Sequence, residues 1–346
     1  MGKIVEQLRD CFKNTPQEEI DKEILTMMPW DDIGPTAKDY LTENETKCHP
    51  FIKWAGGKGQ LIGEIEKSLP EDFRERSMTY VEPFVGGGAV LFHMLQEYPN
   101  IDSAIINDIN RSLIITYRVV RDNIDELIDE LSKISKEYLA LSQEDRKAYF
   151  YSIRKNYNEK KNKSVQDKIK LAAMFIFLNK TCFNGLYREN KKGEFNVPFG
   201  GYANPKIMDE ENLKQCSILL RRCTILNGDY EENTKYVFLD ENILYYLDPP
   251  YRPIGKTSAF NTYSKEGFDD EEQIRLSDFC RDINECGGMF IESNSDSGTF
   301  FDELYEEFEI RRVKATRRIN SKGDKRGEIN ELIITNIKKE SGNGTN

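Results

Sequence analysis

The sequence is poor in the residues that build metal centres. Of its 346 residues only two are histidines, His49 and His93. Its seven cysteines are scattered, and none is spaced C-x-x-C from another, as zinc and redox sites require. We therefore expect buried thiols and no metal ion in the functional site.

Long apolar runs are also missing. No hydrophobic segment approaches the roughly 20 residues that cross a bilayer, and the opening stretch MGKIVEQLRDCFKN lacks the apolar core of a signal peptide. This excludes a membrane partner and predicts a cytoplasmic protein. With 38% hydrophobic and 32% charged residues, the chain has a globular composition and the length of one large or two modest domains.

Positive charge is scarce overall but locally concentrated. The net charge is −11, and residues 1–50 carry 6 basic against 11 acidic side chains. Residues 152–194 carry 11 basic and 4 acidic side chains, and residues 311–326 carry 8 and 1. Because local potential steers a polyanion, these two segments are either solvated surface or faces that contact nucleic acid.

The apolar pattern predicts an α/β fold. A strand at 79–82 leads through a glycine run into a helix over 89–96, and a second strand at 103–108 precedes helices from about residue 110 to 131. Helices rich in Tyr, Lys and Arg are expected over 138–181. Further strands are expected at 223–227, 243–247, 288–292, 309–315 and 331–336, the last two forming an antiparallel hairpin at the edge of an otherwise parallel sheet.

The glycine run Gly86-Gly87-Gly88 lies between a predicted strand and a helix. Glycines there let a ligand approach the backbone, and the helix N-terminus supplies free N–H donors. A nicotinamide fingerprint would need a third glycine where Leu91 stands, which weakens that interpretation. Asp108 ends the next strand, where it either accepts hydrogen bonds from a ribose or caps the following helix at Asn110.

Two further stretches could bind a ligand. FIKWAGGKGQL (residues 51–61) combines aromatic rings, glycines and lysines, which suits a ligand with a carboxylate and a flat ring, although Lys-Gly turns are common. YYLDPPY (residues 245–251) places two prolines after an apolar run. The prolines remove N–H donors and stiffen the backbone, so the Asp248 carboxylate and the Pro249 carbonyl form a rigid double acceptor. Such a pair matches an exocyclic NH2 group, and the Tyr251 ring offers a stacking face for its base.

Together these motifs resemble the Dam-type DNA adenine-N6 methyltransferases, the α-group amino methyltransferases of restriction-modification systems. FIKWAGGKGQL is similar to the cofactor element of that family, VEPFVGGG to its glycine loop and DPPY to its catalytic motif, in the family's order from about Pro50 to Lys338. The resemblance implies a Rossmann-like methyltransferase fold with a mainly helical DNA-recognition domain. It also implies S-adenosylmethionine as methyl donor, with S-adenosylhomocysteine as product, and an adenine flipped out of the duplex.

Motif matching carries the family's roles onto this chain. The cofactor-binding residues would be Trp54, Lys58, Glu82, Pro83, Phe84, Gly86, Gly87, Gly88, Asp108, Asp229, Tyr230 and Asp248. Asp108 would hold the ribose and Asp229 the adenine amino group of the cofactor. The catalytic set would be Asp248, Pro249, Pro250 and Tyr251, and the flipped-base pocket would be formed by Tyr251, Phe260 and Tyr263.

The DNA-binding residues implied by the resemblance fall in both basic segments. They are Asn184, Arg188, Asn196, Arg317, Arg318, Asn320, Ser321, Lys322 and Arg326. Arg188 matches a guanine-contacting arginine, and the others would contact DNA around it. The partner is double-stranded DNA carrying a GATC-like site, a cognate restriction endonuclease is a candidate second partner, and we expect a monomer or weak dimer of bacterial or phage origin.

The domain organisation expected from these matches has five parts. They are an acidic extension (1–47), a first catalytic part (48–130), a target-recognition domain (131–215), a second catalytic part with DPPY (216–338) and a polar tail (339–346). Two alternatives remain at this point. One is an RNA or protein amide methyltransferase of the same fold, and the other is an inactive DNA-binding relative.

Overall fold

The computed structural model describes residues 47–54, 56, 58–161, 167–231, 242–252, 268–316 and 328–338. Almost all of the acidic extension and the entire polar tail lie outside these ranges. No helix within them is long and apolar enough to cross a membrane. The division into domains remains a prediction.

A seven-stranded sheet forms the centre of the protein. Its strands are β1 (Met78–Glu82), β2 (Ile101–Asp108), β3 (Cys223–Asn227), β4 (Ile243–Leu247), β5 (Met289–Ser295), β6 (Glu309–Thr316) and β7 (Glu328–Thr335). Their order is β3-β2-β1-β4-β5-β7-β6. The first five strands run parallel, and β7 pairs antiparallel with both β5 and β6. The predicted mostly parallel sheet with an antiparallel edge hairpin is confirmed.

Helices connect and cover the strands. They are α1 (Ile62–Glu66), α2 (Ala89–Glu97), α3 (Arg111–Asp122), α4 (Ile124–Ala140), α5 (Gln143–Lys161), α6 (Lys168–Thr181), α7 (Glu210–Leu220), α8 (Asp270–Glu285) and α9 (Phe300–Leu304). Two short 3-10 turns lie at Phe73–Glu75 and Phe183–Gly185. The apolar sequence of α6, KIKLAAMFIFLNKT, is almost entirely buried, and this helix packs on α3, α4 and α5.

The strand order reverses between β1 and β4, and this point positions the site. From β1 the chain continues to β2 and β3 on one side, whereas β4 and β5 lie on the other. Ligands of open α/β sheets bind outside the carboxyl ends of the strands at such a switch point. Glu82 ends β1, and Asp248 directly follows β4.

Strand β4, with the sequence ILYYL, is buried on both faces. Leu244 and Tyr246 belong to one hydrophobic cluster, and Tyr245 and Leu247 to the other. This alternation follows from the two-residue period of a strand. The strand that carries the DPPY sequence is thus anchored in two cores.

The helices expected from about residue 110 to 131 are α3 and α4, which are separated at Asn123, where the backbone adopts φ −138° and ψ 46°. Helix α4 continues to Ala140, beyond the expected end of this helical region. The elements agree with the prediction, and only the boundary differs.

The connection from β1 to α2 requires glycine at position 88. Gly88 precedes the first residue of α2 with φ +72°, and a Cβ there would lie 2.6 Å from the hydroxyl of buried Tyr117. Left-handed backbone is unfavourable for residues with a Cβ. The glycine run is therefore needed by the fold itself, independently of any ligand.

Replacing Gly88 by alanine should lower the free energy of unfolding by about 2 to 4 kcal/mol, the sum of backbone strain and steric overlap. Gly63→Ala is the matched control, because nothing lies within 4 Å of a Cβ on that glycine in α1. The control should be neutral or slightly stabilising. Urea unfolding of both variants checks this, and equal stabilities would contradict it.

Candidate active site

Asp248 is a largely buried acceptor at the carboxyl end of β4. Its Oδ1 lies 2.7 Å from Lys58 Nζ and accepts a hydrogen bond of 3.2 Å from Ser293 Oγ, and its side chain is 20% exposed. Burial raises the pKa of Asp248, and the Lys58 ammonium opposes that rise. The carboxylate is thus fixed in place yet reachable from solvent.

Lys58 places a nitrogen donor in this pocket. Its Nζ donates to the carbonyl of Gly56 at 2.8 Å and lies 4.4 Å from the centre of the Tyr251 ring. The side chain is only 8% exposed. A cationic amine therefore lies between the Asp248 carboxylate and an aromatic face. Motif matching assigned Lys58 to the cofactor pocket, and the structure brings it against Asp248 and Tyr251 of the DPPY sequence.

The rest of the tetrapeptide is held by neighbouring strands. Pro249 is buried and Pro250 exposed. The Tyr251 hydroxyl donates to Glu331 Oε2 at 2.8 Å, and burial raises the pKa of Tyr251 well above its usual range. The Arg252 guanidinium binds both oxygens of Asp270, at 2.6 and 2.8 Å. The backbone on both sides of the prolines is therefore tied to the sheet and to α8.

The glycine loop is closed by Asp108. Its Oδ2 accepts a hydrogen bond from the Gly86 amide at 3.1 Å, and its Oδ1 accepts one from the Asn110 amide at 2.8 Å. Burial raises the pKa of Asp108 to about 6. The cap of α3 is the Asn110 side chain, which accepts from the Leu113 amide. Asp108 therefore links β2 to the glycine loop and is not the helix cap.

Trp54 lies directly over the glycine loop. A Cβ on Gly86 would lie 2.8 Å from Trp54 Cδ1, and one on Gly87 would lie 3.0 Å from Trp54 Cβ. The indole also stacks on Tyr187, with ring centres 5.5 Å apart. The structure thus joins the FIKWAGGKGQL and VEPFVGGG motifs and connects both to the loop after α6.

Glu82, Pro83 and Phe84 leave β1 beside this loop. Glu82 is 2% exposed and accepts a hydrogen bond of 2.6 Å from the Tyr80 hydroxyl. Burial raises the pKa of Glu82 well above its usual range, and Asp248 contributes to the rise. The Pro83 carbonyl accepts from the Asn107 side chain at 3.1 Å. The Phe84 ring packs 5.2 Å from that of Tyr230.

Asp229 already has a donor in this structure. Its carboxylate pairs with Arg275, with Nη2–Oδ1 at 2.5 Å and Nη1–Oδ2 at 3.1 Å. The same guanidinium lies 4.6 Å from the centre of the Tyr230 ring. The Tyr230 ring thus contacts both Arg275 and Phe84, and Asp229 directly precedes it in the chain.

The cleft residues fit the cofactor implied by the motifs. Two acidic side chains, Glu82 and Asp108, lie at the ends of neighbouring strands around a glycine turn. Beside them the apolar side chain of Ile109, directly after Asp108, is 67% exposed, a feature that sequence reasoning missed.

The loop after α6 presents polar side chains from a defined backbone. Arg188 Nε donates to Asn196 Oδ1 at 2.7 Å, and the Asn196 backbone amide donates to the Arg188 carbonyl at 3.0 Å. Asn184 is exposed in a left-handed turn at φ 56°, and its amide donates to the Tyr202 hydroxyl at 2.9 Å. The structure therefore brings Arg188 and Asn196 together and exposes Asn184 on the same loop.

Lys53 links this loop to the FIKWAGGKGQL motif, and sequence reasoning missed it. Its amide donates to Asn179 Oδ1 at 2.8 Å, and Asn179 Nδ2 donates to the carbonyls of Lys53 at 2.8 Å and Gly185 at 3.1 Å. The Lys53 side chain is exposed above Gly185. Its place within FIKWAGG was the available signal.

A cationic cavity of about 310 Å³ lies beside the loop, away from Asp248. Three lysines, Lys53, Lys180 and Lys206, line it together with Tyr202. Burial, reinforced by the neighbouring Lys53, lowers the pKa of Lys180 to about 8. Lys206 pairs with Asp209. The charges of Lys53 and Lys180 therefore leave the cavity with a net positive charge.

Several predicted residues lie outside the described part of the chain. They are Phe260 and Tyr263 of the base pocket, and Arg317, Arg318, Asn320, Ser321, Lys322 and Arg326 of the basic loop. Their roles remain predictions from the motifs.

Comparison with known proteins gives a consistent result. The profile of the D12 class N6 adenine-specific DNA methyltransferases matches residues 54–319. The type II methyltransferase M.MjaIII of Methanocaldococcus jannaschii is 52% identical over 289 residues, which cover 83% of this chain and 98% of that protein.

Two further relatives span a similar share of the chain. The type II methyltransferase M1.LlaDCHI of Lactococcus lactis is 37% identical, with 86% of this chain and 98% of that protein covered. The DNA adenine methylase of Escherichia coli K12 is 30% identical over 287 residues, with 83% and 95% covered. Residues 54–319, which the family profile matches, contain the glycine loop, the loop after α6 and the DPPY sequence.

Proposed function

The chain belongs to the D12 class N6 adenine-specific DNA methyltransferases, and from this premise we propose the roles of its residues in binding and transfer. Its activity is methylation of adenine N6 in DNA. Family membership decides against an RNA or protein amide methyltransferase, and relatives named methyltransferases and methylases argue against an inactive DNA-binding relative. The proposal concerns the residues that hold the cofactor, the adenine and the recognition site.

The observation that carries the proposal is the position of the Lys58 ammonium. It lies 2.7 Å from the Asp248 carboxylate and 4.4 Å from the centre of the Tyr251 ring. An adenine amino group needs the same surroundings, with an acceptor at its protons and a ring against its base. We infer that the Lys58 ammonium occupies the position of the adenine amino group until an extruded base enters.

Asp248 and Pro249 then act as acceptors for the two amino protons. Hydrogen bonds to both protons draw the nitrogen lone pair out of conjugation with the base and direct it toward an electrophile. S-adenosylmethionine supplies that electrophile as a methyl group on a sulfonium centre. The contribution of the protein is positioning and electrostatics in a largely buried site.

The cofactor is assigned to the cleft between β1, β2 and β3. Glu82 and the glycine loop would hold its methionine part, Asp108 its ribose and Asp229 with Tyr230 its adenine, while Trp54 and Phe84 enclose the cleft. The acidic end groups suit a ligand that carries an ammonium and hydroxyls. In this assignment Arg275 either shares the Asp229 carboxylate with the adenine of the bound cofactor or no longer binds that carboxylate.

Replacing Asp248 by asparagine or alanine should reduce methyl transfer by about 10²- to 10³-fold or more, because an oriented acceptor is lost. Cofactor affinity should stay largely intact. The measurement is tritiated-methyl transfer to unmethylated plasmid DNA, with rRNA and total protein as parallel acceptors. Calorimetric titration with S-adenosylmethionine tests folding and cofactor binding. Full activity of Asp248→Ala would defeat the assignment.

DNA recognition is assigned to the loop after α6. Asn196 holds Arg188 Nε at 2.7 Å and so orients the guanidinium fork. An oriented arginine suits bidentate pairing with guanine O6 and N7. Relatives named type II methyltransferases support a place in a restriction-modification system. The GATC-like site is implied by the resemblance of this loop to the family. Pairing with a cognate endonuclease, and action as a monomer or weak dimer, remain predictions.

Arg188→Ala should raise the free-energy barrier to transfer at the cognate site by about 1 to 3 kcal/mol, because a bidentate contact is removed. It should also weaken discrimination at one guanine. Arg188→Lys keeps the charge but not the fork, and should lose discrimination equally. Initial rates on duplexes with single base changes test both variants. Unchanged discrimination in either variant would count against a base contact.

The cationic cavity is assigned to a phosphate of bound DNA. Lys180 has a lowered pKa in the free protein, and a phosphate beside it would raise that pKa again. Binding at high pH would therefore require proton uptake by Lys180.

DNA affinity should fall by roughly tenfold between pH 7 and pH 9 through Lys180 alone, because its free-state pKa of about 8 lies in that window. Lys180→Met should bind more weakly at pH 7 and lack this part of the pH dependence. Fluorescence anisotropy at constant salt measures both proteins. Equal pH slopes would contradict the assignment.

A further inference from the structure

A buried polar relay connects strand β5 to the backbone of the DPPY sequence. Gln273 in α8 is 0% exposed, and its Nε2 donates to the Pro250 carbonyl at 3.1 Å. Its Oε1 accepts from Asn294 Nδ2 at 3.0 Å. Neither residue has a part in the function proposed above.

The direction of the relay is fixed at its far end. The Ser295 amide, which can only donate, lies 2.9 Å from Asn294 Oδ1 and so sets the orientation of the Asn294 side chain. The Asn294 NH2 group must then face Gln273 Oε1, and it also donates to Glu292 Oε1 at 2.9 Å. Gln273 is left with its NH2 group toward Pro250. The Ser295 main-chain N–H thus fixes, through Asn294, the orientation in which Gln273 donates to the Pro250 carbonyl.

The start of α8 holds Gln273 in place. Asp269 caps the helix by accepting from the amides of Glu271 and Glu272, both at 3.1 Å. The Gln273 amide donates to the Asp269 carbonyl at 3.0 Å. The side chain therefore leaves a fixed first turn, not a mobile loop.

The two ends of the Asp248–Pro250 segment have separate anchors. Ser293 fixes the Asp248 carboxylate at 3.2 Å, and Gln273 fixes the Pro250 carbonyl. Because both prolines have restricted φ, the Pro249 carbonyl between these anchors has little freedom. Loss of the Gln273 donor would release one end of that segment and leave the Pro250 carbonyl without its buried partner.

We propose that Gln273 is a positioning residue for methyl transfer, which acts through Pro250 to aim the Pro249 carbonyl at the adenine amino group. The inference rests on the acceptor role proposed for Asp248 and Pro249. Gln273 does not touch the adenine or the cofactor. Its loss should therefore lower the rate of transfer and leave both affinities unchanged.

The test uses the full chain in single-turnover transfer of tritiated methyl to unmethylated plasmid DNA at saturating S-adenosylmethionine. Gln273→Met keeps the volume and removes the donor, and should slow transfer about 10- to 100-fold. Its affinities for S-adenosylmethionine and DNA should match those of the unmodified chain. A change in affinity without a change in rate would contradict a positioning role.

Ser277→Ala is the matched control on the same helix. Ser277 is 0% exposed and donates to the Ile274 carbonyl at 2.7 Å, without contact to the tetrapeptide. It should lower the melting temperature as Gln273→Met does while keeping the normal transfer rate. If both variants lose rate in proportion to stability, the role of Gln273 is only structural and the proposal fails.

A second variant tests the relay without touching Pro250. Asn294→Ala removes the group that orients Gln273, so it should also slow transfer, and the double variant should be no slower than Gln273→Met. If the rate reductions of the two single variants multiply in the double variant, the relay is contradicted. A normal rate in Gln273→Met, with loss of rate in Asp248→Asn, would overturn this inference while the proposed function stands.

Discussion

The ion pair between Lys58 and Asp248 is the interaction on which the account of the site depends. It joins the FIKWAGGKGQL motif to the Asp248 carboxylate after the central strand, across 2.7 Å. A carboxylate buried at this depth needs a donor, since burial alone would favour its protonated form. The ammonium supplies that donor and lies against the Tyr251 ring. An exocyclic amino group can replace the ammonium, because it needs the same carboxylate acceptor and the same aromatic ring.

The fold explains why these residues meet. The reversal of strand order between β1 and β4 opens a cleft at the carboxyl ends of the strands, and the sequence places its unusual residues there. Gly88 permits the close turn into α2, Asp108 binds the loop backbone, and Asp248 follows a strand anchored in two cores. Trp54 extends the same packing to Tyr187 in the loop after α6. The glycine loop, the DPPY sequence and the loop after α6 thus share one continuous set of contacts.

Much of this arrangement was predictable from the sequence. Alternation of apolar segments located the strands, including the edge hairpin, and the three motifs identified the family. The position of Lys58 was not predictable, because a long side chain can reach either the cofactor or the acceptor and only tertiary packing decides. The relay through Gln273 and Asn294 was equally hidden. Its members lie more than twenty positions from Pro250, and a glutamine within a helix carries no local signal.

The most direct test of the central claim is a crystal structure of the chain with S-adenosylhomocysteine and a duplex that contains its site. The account predicts an extruded adenine whose N6 lies about 3 Å from both Asp248 Oδ1 and the Pro249 carbonyl, with the Tyr251 ring against the base and Lys58 Nζ displaced. An adenine that leaves Lys58 on Asp248, with its N6 held by other groups, would contradict the account.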